Sequence, residues 1–404
     1  MTLADTPFAF PFKADSLYHP APQWAELRER RPVAEIRMPD GTTAWLVTRT
    51  EDVRQVFFDQ RFSRAAAAAA ATAAGQGGVS MAAGSESIIG MDGPEHTRLR
   101  SLVAGTFTIR RTEWMRPKIR TVVHELLDGL QAQPQPADLV RHFSLPLPIR
   151  VLCEVLGVPP EDHEVFRSSA EVVVGDEMRD PEQSRVFLKR LLDYFDDLIA
   201  KKRDRPADDL ITVLVQARDV DGKLSEHELR LLCLVMLIAG YESTSAEINM
   251  FVLTLLRHPR EWARLKAQPD LLPQAVEELL RFAQLTDVGT GFPRVTTEEV
   301  ELSGVTIPAG AVVLPAFIPA SRDPALFDEP DRLDLMRGDK IPHFGFGAGA
   351  HRCLGAGLAR VELQEAMRGL LTRLPDLRLG VPESDLRLME GRIVHTFEAL
   401  PVSW

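Results

Sequence analysis

Cys353 lies in the segment of this 404-residue chain whose residue types and spacing most clearly predict chemistry. Positions 344–355 read Phe-Gly-Phe-Gly-Ala-Gly-Ala-His-Arg-Cys-Leu-Gly. Glycines at 345, 347 and 349 allow positive φ values and a close backbone approach to a flat partner, because they carry no Cβ. Good helix formers follow the cysteine, so its sulfur is expected just before a helix N-terminus, where the dipole stabilises a thiolate. The segment predicts a thiolate ligand for iron, although a core cysteine beside a turn has the same local signature.

The same residues resemble the haem-binding signature of the cytochrome P450 monooxygenases, with every fixed position filled between Phe346 and Gly355. The resemblance implies that Cys353 is the axial thiolate and metal ligand of a haem b, which favours cleavage of the O–O bond of dioxygen. It also implies a mainly α fold with a minor β region, forming a single cytochrome P450 domain over residues 1–404. The sequence contains no internal repeat or long linker that would mark a boundary.

A second candidate site lies in the middle of a predicted long helix. Ser225-Glu-His-Glu forms a capping box, and apolar spacing continues to Arg257, where a His-Pro pair predicts the end. Residues 239–244 read Ala-Gly-Tyr-Glu-Ser-Thr. A glycine inside a helix costs about 1 kcal/mol relative to alanine, and adjacent hydroxyls compete for backbone hydrogen bonds. A local opening of the helix is therefore expected at Gly240.

This segment resembles the distal helix of the P450 family, in which an acid followed by a hydroxyl residue supplies protons. The resemblance implies the acid role for Glu242 and the hydroxyl role for Ser243, with Thr244 as the neighbouring alternative. The family usually has threonine where this chain has Ser243, and serine keeps the hydroxyl but loses the methyl group that restricts χ1. A solvated carboxylate would explain an isolated Glu242, but its place beside Gly240 favours the proton relay.

Cationic partners for the haem carboxylates are implied at four positions. Such carboxylates need cations or hydrogen-bond donors at the edge of their pocket. His96 and Arg100 are four residues apart on a predicted helix and so share a face. Arg294 follows a Gly-Phe-Pro sequence, and His351 lies two residues before the cysteine. The resemblance implies cofactor binding by all four residues.

Glu278 and Arg281 form a Glu-x-x-Arg pair on one helix face, where a carboxylate and a guanidinium can make forked bonds. Such pairs are common on surface helices and contribute little there. The family resemblance implies a buried pair joined by an arginine from a later loop, and Arg332 takes that place by position. The trio is expected to be structural rather than catalytic.

The elements that position these residues are predicted to be mostly helical. Amphipathic spacing predicts helices over 112–130 and 183–203. Strands are expected at 33–37 and 43–48, joined by a Pro-Asp-Gly turn, and in a second β region over 300–314.

Composition and charge restrict the class of protein. A hydrophobic fraction of 45% is enough for a large core, and a net charge of −11 argues against nucleic acid as the main partner. The first residues lack the pattern of a signal peptide, and the apolar run 231–240 is about half of the ~20 residues that a membrane span needs. A cytoplasmic protein without membrane contact is expected. Cys153 and Cys233 are predicted core residues, since no Cys-x-x-Cys pair is present.

Substrate contacts are implied mainly by position in the family. The pocket roof would cover residues 65–84, where small Ala and Gly side chains leave room for a bulky molecule. The implied lining residues are Leu237, Val288, Thr290, Phe292 and Val394. No charged group is an evident substrate clamp. We therefore expect a bulky, mainly apolar natural-product intermediate, such as a polyketide, terpenoid or peptide-derived compound.

The resemblance implies hydroxylation or epoxidation with O2 and two electrons. No flavin or nicotinamide fingerprint is visible, so a ferredoxin and a ferredoxin reductase are the expected partners of a monomer. The basic run Arg110, Arg111, Arg116, Lys118 and Arg120 could dock an acidic partner or form a solvated helix face. The alternative classes are a peroxide-driven or rearranging haem-thiolate enzyme and a non-catalytic haem sensor, and the acid–hydroxyl pair argues against the sensor.

Overall fold

The computed structural model describes residues 7–14, 19–73, 84–163, 181–283, 285–286, 289–338, 342–389, 392 and 394–404. These residues group into two compact units. Unit 1 draws on 1–70 and 273–353, and unit 2 on 71–272 and 354–404. That the whole chain forms one domain stays a prediction.

The secondary structure is mainly α with a minor β region, which confirms the expected fold class. The α-helices are α1 (Pro22–Arg30), α2 (Thr50–Phe58), α3 (Arg64–Ala73), α4 (Gly93–Ala104), α5 (Ile109–Gln131), α6 (Pro146–Leu156), α7 (Pro181–Asp204), α8 (Leu210–Asp219), α9 (Glu226–Arg257), α10 (Pro259–Ala267), α11 (Leu272–Phe282), α12 (Phe317–Ala320) and α13 (Ala356–Arg373). The β-strands are β1 (Phe8–Ala9), β2 (Val33–Arg37), β3 (Thr43–Val47), β4 (Phe62–Ser63), β5 (Ala137–Asp138), β6 (Arg294–Thr296), β7 (Val300–Leu302), β8 (Val305–Ile307), β9 (Val312–Pro315), β10 (Arg378–Leu379) and β11 (Pro401–Ser403).

Unit 1 contains a mixed sheet with the strand order β1-β2-β3-β9-β6-β4. Strands β2 and β3 form the predicted antiparallel hairpin, with Val33 opposite Val47, and Gly41 in its turn has a φ of 85°. That φ favours glycine, because a Cβ makes it strained. Strand β9 pairs with β3 in parallel and with β6 in antiparallel orientation. Strands β7 and β8 form a separate antiparallel pair within the predicted second β region.

Two apolar clusters in unit 1 take alternate residues of strand β2. Ala34 and Ile36 belong to a cluster that includes Trp24, whereas Val33 belongs to a second cluster. Successive side chains of a strand point to opposite faces, so the sheet is covered on both sides. The second cluster includes Phe344, at the start of the Cys353 segment. The core of unit 1 therefore anchors that segment.

Helix α9 is the central helix of unit 2. The Ser225 hydroxyl accepts a bond from the Glu228 backbone N–H at 3.2 Å, and the Glu228 carboxylate accepts one from the Ser225 N–H at 2.6 Å, which confirms the capping box. The helix has 32 residues and so extends about 48 Å. Every residue from 244 to 255 is buried. A helix buried on all sides is a core element.

Helix α9 also has the length and composition of a membrane span. An 18-residue stretch within it has a mean hydropathy of 1.4, and 67% of that stretch is buried inside the protein. Burial of this extent is typical of the core helix of a globular protein.

The expected opening at Gly240 is wrong, because α9 runs through it without interruption. The Ser243 hydroxyl donates to the Ala239 carbonyl and the Thr244 hydroxyl to the Gly240 carbonyl, each at 3.2 Å. These hydroxyls add bonds to carbonyls one turn back and leave the helix intact. The glycine lies in a tightly packed place, since a Cβ at position 240 would lie 3.0 Å from a methyl carbon of Leu152 on α6.

Helix α13, which follows the Cys353 segment, packs on α5 within unit 2. A Cβ at Gly369 would lie 2.5 Å from Val123 Cγ1, so only glycine permits this close approach. The buried Glu365 accepts bonds from Arg116 at 2.9 Å and Arg120 at 2.8 Å. Burial acts to raise the pKa of Glu365, but the two arginines hold it below its usual range. Glu365 therefore connects the two helices as an ionised group.

The Glu-x-x-Arg pair on α11 is buried, but the predicted third partner is wrong. Arg281 Nε and Nη2 lie 2.7 and 2.8 Å from the Glu278 carboxylate oxygens, and neither side chain is exposed. Arg332 is 57% exposed and pairs with acidic neighbours in its own loop. Arg337 takes the expected place, with Nε 3.3 Å from Glu278 and a side chain only 12% exposed. It also donates to three carbonyls of the loop, at positions 328, 329 and 332.

We expect Arg337→Met to lower the free energy of unfolding by about 2–4 kcal/mol, because it removes a partner of a buried carboxylate and three carbonyl contacts. Arg332→Met is the matched control and is expected to cost less than about 1 kcal/mol, since exposed ion pairs contribute little. Urea denaturation followed by circular dichroism measures both. Equal losses in the two variants would contradict the assignment of Arg337.

Candidate active site

The Cys353 segment is a loop held by its own backbone. The Cys353 N–H donates to the Phe346 carbonyl at 2.8 Å, and α13 begins three residues later at Ala356. The predicted position of the cysteine just before a helix is therefore confirmed. The residue is exposed on unit 1, whereas Cys153 and Cys233 are buried in unit 2, as predicted. Burial raises the pKa of both buried thiols to about 12, so they are protonated at neutral pH.

Two of the three glycines have the conformation that only glycine adopts readily. Gly347 and Gly349 have φ values of 62° and 68°, whereas Gly345 does not lie in this region. A Cβ at Gly349 would lie 2.2 Å from the carbonyl oxygen of Phe57, near the end of α2. The segment therefore lies against α2 at a distance that any side chain at 349 would prevent.

Arg294 and His351 belong to the same part of unit 1. The Arg294 guanidinium lies 4.9 Å from the Phe57 ring centre and its Nε donates to the Val56 carbonyl at 3.2 Å. The Phe57 ring stacks on Phe344 at a centroid distance of 5.7 Å. His351 ends the 3₁₀ turn Gly349–His351 and is half-buried. The end of α2 thus brings Arg294 and the Cys353 segment together.

The other predicted site residues lie on two helices of unit 2. His96 and Arg100 are both on α4, with His96 buried and Arg100 half-buried. Their spacing of four residues puts them on one face of that helix, as predicted. Glu242, Ser243 and Thr244 are consecutive on α9, where Thr244 is buried and the other two are half-buried.

Glu242 makes two contacts that its own segment does not predict. Its Oε1 accepts a hydrogen bond from the Thr396 hydroxyl at 3.0 Å and lies 4.0 Å from Arg392 Nε. Burial raises the pKa of Glu242, and the Arg392 charge and the Thr396 hydrogen bond oppose that rise. A carboxyl with a raised pKa exchanges protons more readily near neutral pH than an ordinary one.

The residues implied for substrate contact are only partly described. Val288 and residues 74–83 of the expected roof lie outside the described residues. Leu237 is buried and Val394 half-buried in unit 2. In unit 1, Thr290 pairs with Ala316, while Phe292 is 47% exposed. These positions do not identify a substrate.

The predicted basic run is largely neutralised by partners within unit 2. Arg116 and Arg120 bond Glu365, Lys118 bonds Glu154 at 2.9 Å, and Arg111 bonds Asp208. Arginines engaged in this way offer little charge for steering an acidic protein. The solvated helix face, with internal ion pairs, describes the run better than a docking site.

Comparison with known proteins identifies the family. The sequence model described as Cytochrome P450 matches residues 179–375. The mycinamicin IV hydroxylase/epoxidase of Micromonospora griseorubida is 46% identical and the nocardicin C N-oxygenase of Nocardia uniformis subsp. tsuyamanensis 42% identical, each over the whole of both chains. The solved structure of the mixed-function P450 MycG is 44% identical, with a TM-score of 0.89 over 99% of this chain and 100% of that one. The chain belongs to the cytochrome P450 family. It is an oxidoreductase of the monooxygenase type.

Haem is the cofactor of this family, and the residues of this P450 fit it. A thiolate ligand must be accessible, and Cys353 meets that condition whereas the two buried thiols do not. Bacterial members take small-molecule substrates and electrons from redox partners.

Two further carboxyls in unit 2 have strongly raised pKa values. Glu247 on α9 and Glu362 on α13 are buried, and in each an Oε2 atom finds no hydrogen-bond partner among the described residues. Burial raises the pKa of each to about 8. Periodicity places Glu247 on the helix, but only the packing reveals that its Oε2 has no hydrogen-bond partner among the described residues.

We expect Glu247→Gln to flatten the pH dependence of stability. Because the pKa of Glu247 rises from an ordinary 4.5 to about 8 on folding, its contribution to stability is full below pH 4.5 and is lost as the pH rises to about 8. The free energy of unfolding of the variant minus that of the wild type should therefore increase between pH 4.5 and pH 8.5. The expected increase is roughly 2–4 kcal/mol. Urea denaturation across this range is the measurement, with Glu26→Gln as the exposed control. If the free energies of unfolding of the wild type and of Glu247→Gln changed with pH in parallel, the effect of burial on the pKa of Glu247 would be contradicted.

Proposed function

We propose that this P450 hydroxylates or epoxidises a bulky, mainly apolar natural-product intermediate, using O2 and two electrons from a ferredoxin and its reductase. The observation that carries the proposal is the 46% identity over both full chains to the mycinamicin IV hydroxylase/epoxidase. Nocardicin C N-oxygenase and the LnmA hydroxylase of the leinamycin pathway, 42% identical each, also bear natural-product names. The small side chains of residues 65–73 on α3 are compatible with a large substrate.

The cofactor is proposed to be haem b, with the Cys353 thiolate as its iron ligand. His96, Arg100, Arg294 and His351 would bind its carboxylates, which need cations or donors. Arg294 is already oriented by its bond to the Val56 carbonyl and its contact with Phe57. When bound, the thiolate-ligated haem supplies reductive activation of dioxygen.

Proton delivery is proposed for Glu242, with Ser243 and Thr244 beside it. The Glu242 carboxyl is half-buried and burial raises its pKa, so it holds a proton more readily than an ordinary carboxyl does. The Ser243 hydroxyl donates to the Ala239 carbonyl, and its oxygen still has lone pairs to accept a proton. Thr244 has the same arrangement with Gly240 but is buried. Ser243 is therefore the hydroxyl that we assign to the relay.

The protein is proposed to act as a monomer in the cytoplasm, where ferredoxin systems supply single electrons. Burial of helix α9 inside the protein supports a role without membrane contact. Since internal ion pairs engage most of the basic run, we do not assign the ferredoxin to that face.

The substrate class is tested by titrating the ferric protein with macrolide, terpenoid and peptide-derived compounds. Binding is expected to displace water from the iron and shift the Soret band, and ferredoxin-driven turnover should add one oxygen atom to the ligand, measured by mass spectrometry.

Cys353→His is expected to lose the red-shifted Soret band of the reduced carbon monoxide adduct, because imidazole replaces thiolate. Cys233→Ala is the control that retains it. Survival of that band in Cys353→His would overturn the ligand assignment.

The relay is tested by combining Ser243→Ala with Thr244→Val. We expect about two- to tenfold more hydrogen peroxide per product, because protons then reach the site without a positioned hydroxyl. Ser384→Ala with Thr372→Val removes the same two hydroxyl types from exposed positions and is the matched control. Unchanged coupling of electrons to product would remove the relay.

A further inference from the structure

The residues around Glu242 come from the C-terminal part of the chain, which the proton relay does not yet use. Thr396 and Arg392 are about 150 residues away in sequence and contact the same carboxylate oxygen, Oε1. Glu242 Oε2 makes no bond to protein among the described residues. One oxygen is therefore held while the other is available for a proton.

Thr396 is fixed by its backbone. The Met389 N–H donates to the Thr396 carbonyl at 2.8 Å, and the next residues on each strand, Leu388 and Phe397, pair in an antiparallel bridge. Phe397 is only 1% exposed. The hydroxyl of Thr396 thus projects from an anchored segment of unit 2, so its bond to Glu242 has a defined geometry.

The Thr396 hydroxyl can serve both protonation states of Glu242. It has one hydrogen and two lone pairs. Toward ionised Glu242 it donates at 3.0 Å, as observed, and the Val394 carbonyl lies 3.4 Å from the same oxygen. When the proton lies on Oε2, Oε1 still accepts from the Thr396 hydroxyl, and when it lies on Oε1, that O–H can donate to Thr396 while the threonine hydrogen turns to Val394. The carboxyl therefore keeps a partner throughout a proton transfer.

Arg392 acts on the same group through charge. At 4.0 Å from Oε1 it is too distant for a strong hydrogen bond, but its side chain is only 12% exposed, so solvent screens the charge weakly. It is the charged residue of the described chain that acts on Glu242. Its attraction favours the ionised carboxylate, which opposes the effect of burial.

We propose that Thr396 and Arg392 are positioning residues that orient the Glu242 carboxyl and set its proton affinity for the monooxygenase reaction. The inference rests on the proposed role of Glu242. It adds the C-terminal segment to the machinery, and it assigns distinct tasks to a neutral hydroxyl and a charge.

The test is infrared spectroscopy of the carboxyl band of Glu242 in the intact holoprotein, isolated as the difference between each protein and its Glu242→Gln counterpart. Thr396→Val keeps the shape and loses the hydroxyl, and it is expected to raise the midpoint of the titration by about one pH unit, a tenfold change in proton affinity. Thr396→Ser should restore the wild-type midpoint. Arg392→Gln should also raise it, because a stabilising charge is lost.

The matched controls are Thr372→Val, at an exposed helix position, and Arg387→Gln, an exposed arginine of the same C-terminal segment, and neither should move the midpoint. In turnover, Thr396→Val should lower the yield of product per electron by about two- to fivefold, with KM unchanged. An unmoved midpoint in both Thr396→Val and Arg392→Gln would overturn the inference. Full coupling in Glu242→Gln would instead remove the role of Glu242, whatever the infrared result.

Discussion

Removing ionisable groups from water is the constraint on which the described parts of both units depend, because a buried charge must be paired or neutralised. In unit 1, the Glu278 side chain is fully buried and its carboxylate pairs with Arg281 and Arg337. In unit 2, Glu365 is held ionised by two arginines, whereas Glu247 Oε2 has no hydrogen-bond partner among the described residues and burial raises the pKa of Glu247 to about 8. Glu242 is intermediate, with one hydroxyl and one charge against its burial. That balance suits the proton transfer proposed for this carboxyl.

Features set by neighbours in sequence could be predicted well. The capping box at Ser225 and the end of the helix at Arg257 depend on residues within one turn, and both are present. The hairpin of β2 and β3 follows from alternation and a turn containing Gly41. The motif around Cys353 likewise identified the chemistry, because its glycines and cysteine act over a few residues. Such signals do not depend on where the rest of the chain goes.

Features that depend on contacts between distant parts of the sequence could not be predicted. Arg332 and Arg337 lie five residues apart in the same loop. Only the path of that loop decides which of them reaches Glu278. Gly240 suggested a broken helix, but the helix continues through it and packs closely against Leu152 on another helix. Thr396 reaches Glu242 across 154 positions, and nothing in either segment indicates the other. The basic run shows the same limit, since its acidic partners lie on other elements.

The burial of residues 244–255 of α9 on every side has a consequence for how such an enzyme can diversify. Residues 244–255 belong to a helix that packs against α6, α7 and α13. Adding or removing one methylene group in this stretch therefore changes the stability of the protein. A substitution in this stretch must preserve both the volume and the polarity of the side chain. Few single substitutions meet both conditions. Exposed or half-buried positions such as Phe292 and Val394 carry no such restriction. Substitutions at such positions are therefore tolerated more readily than substitutions within residues 244–255.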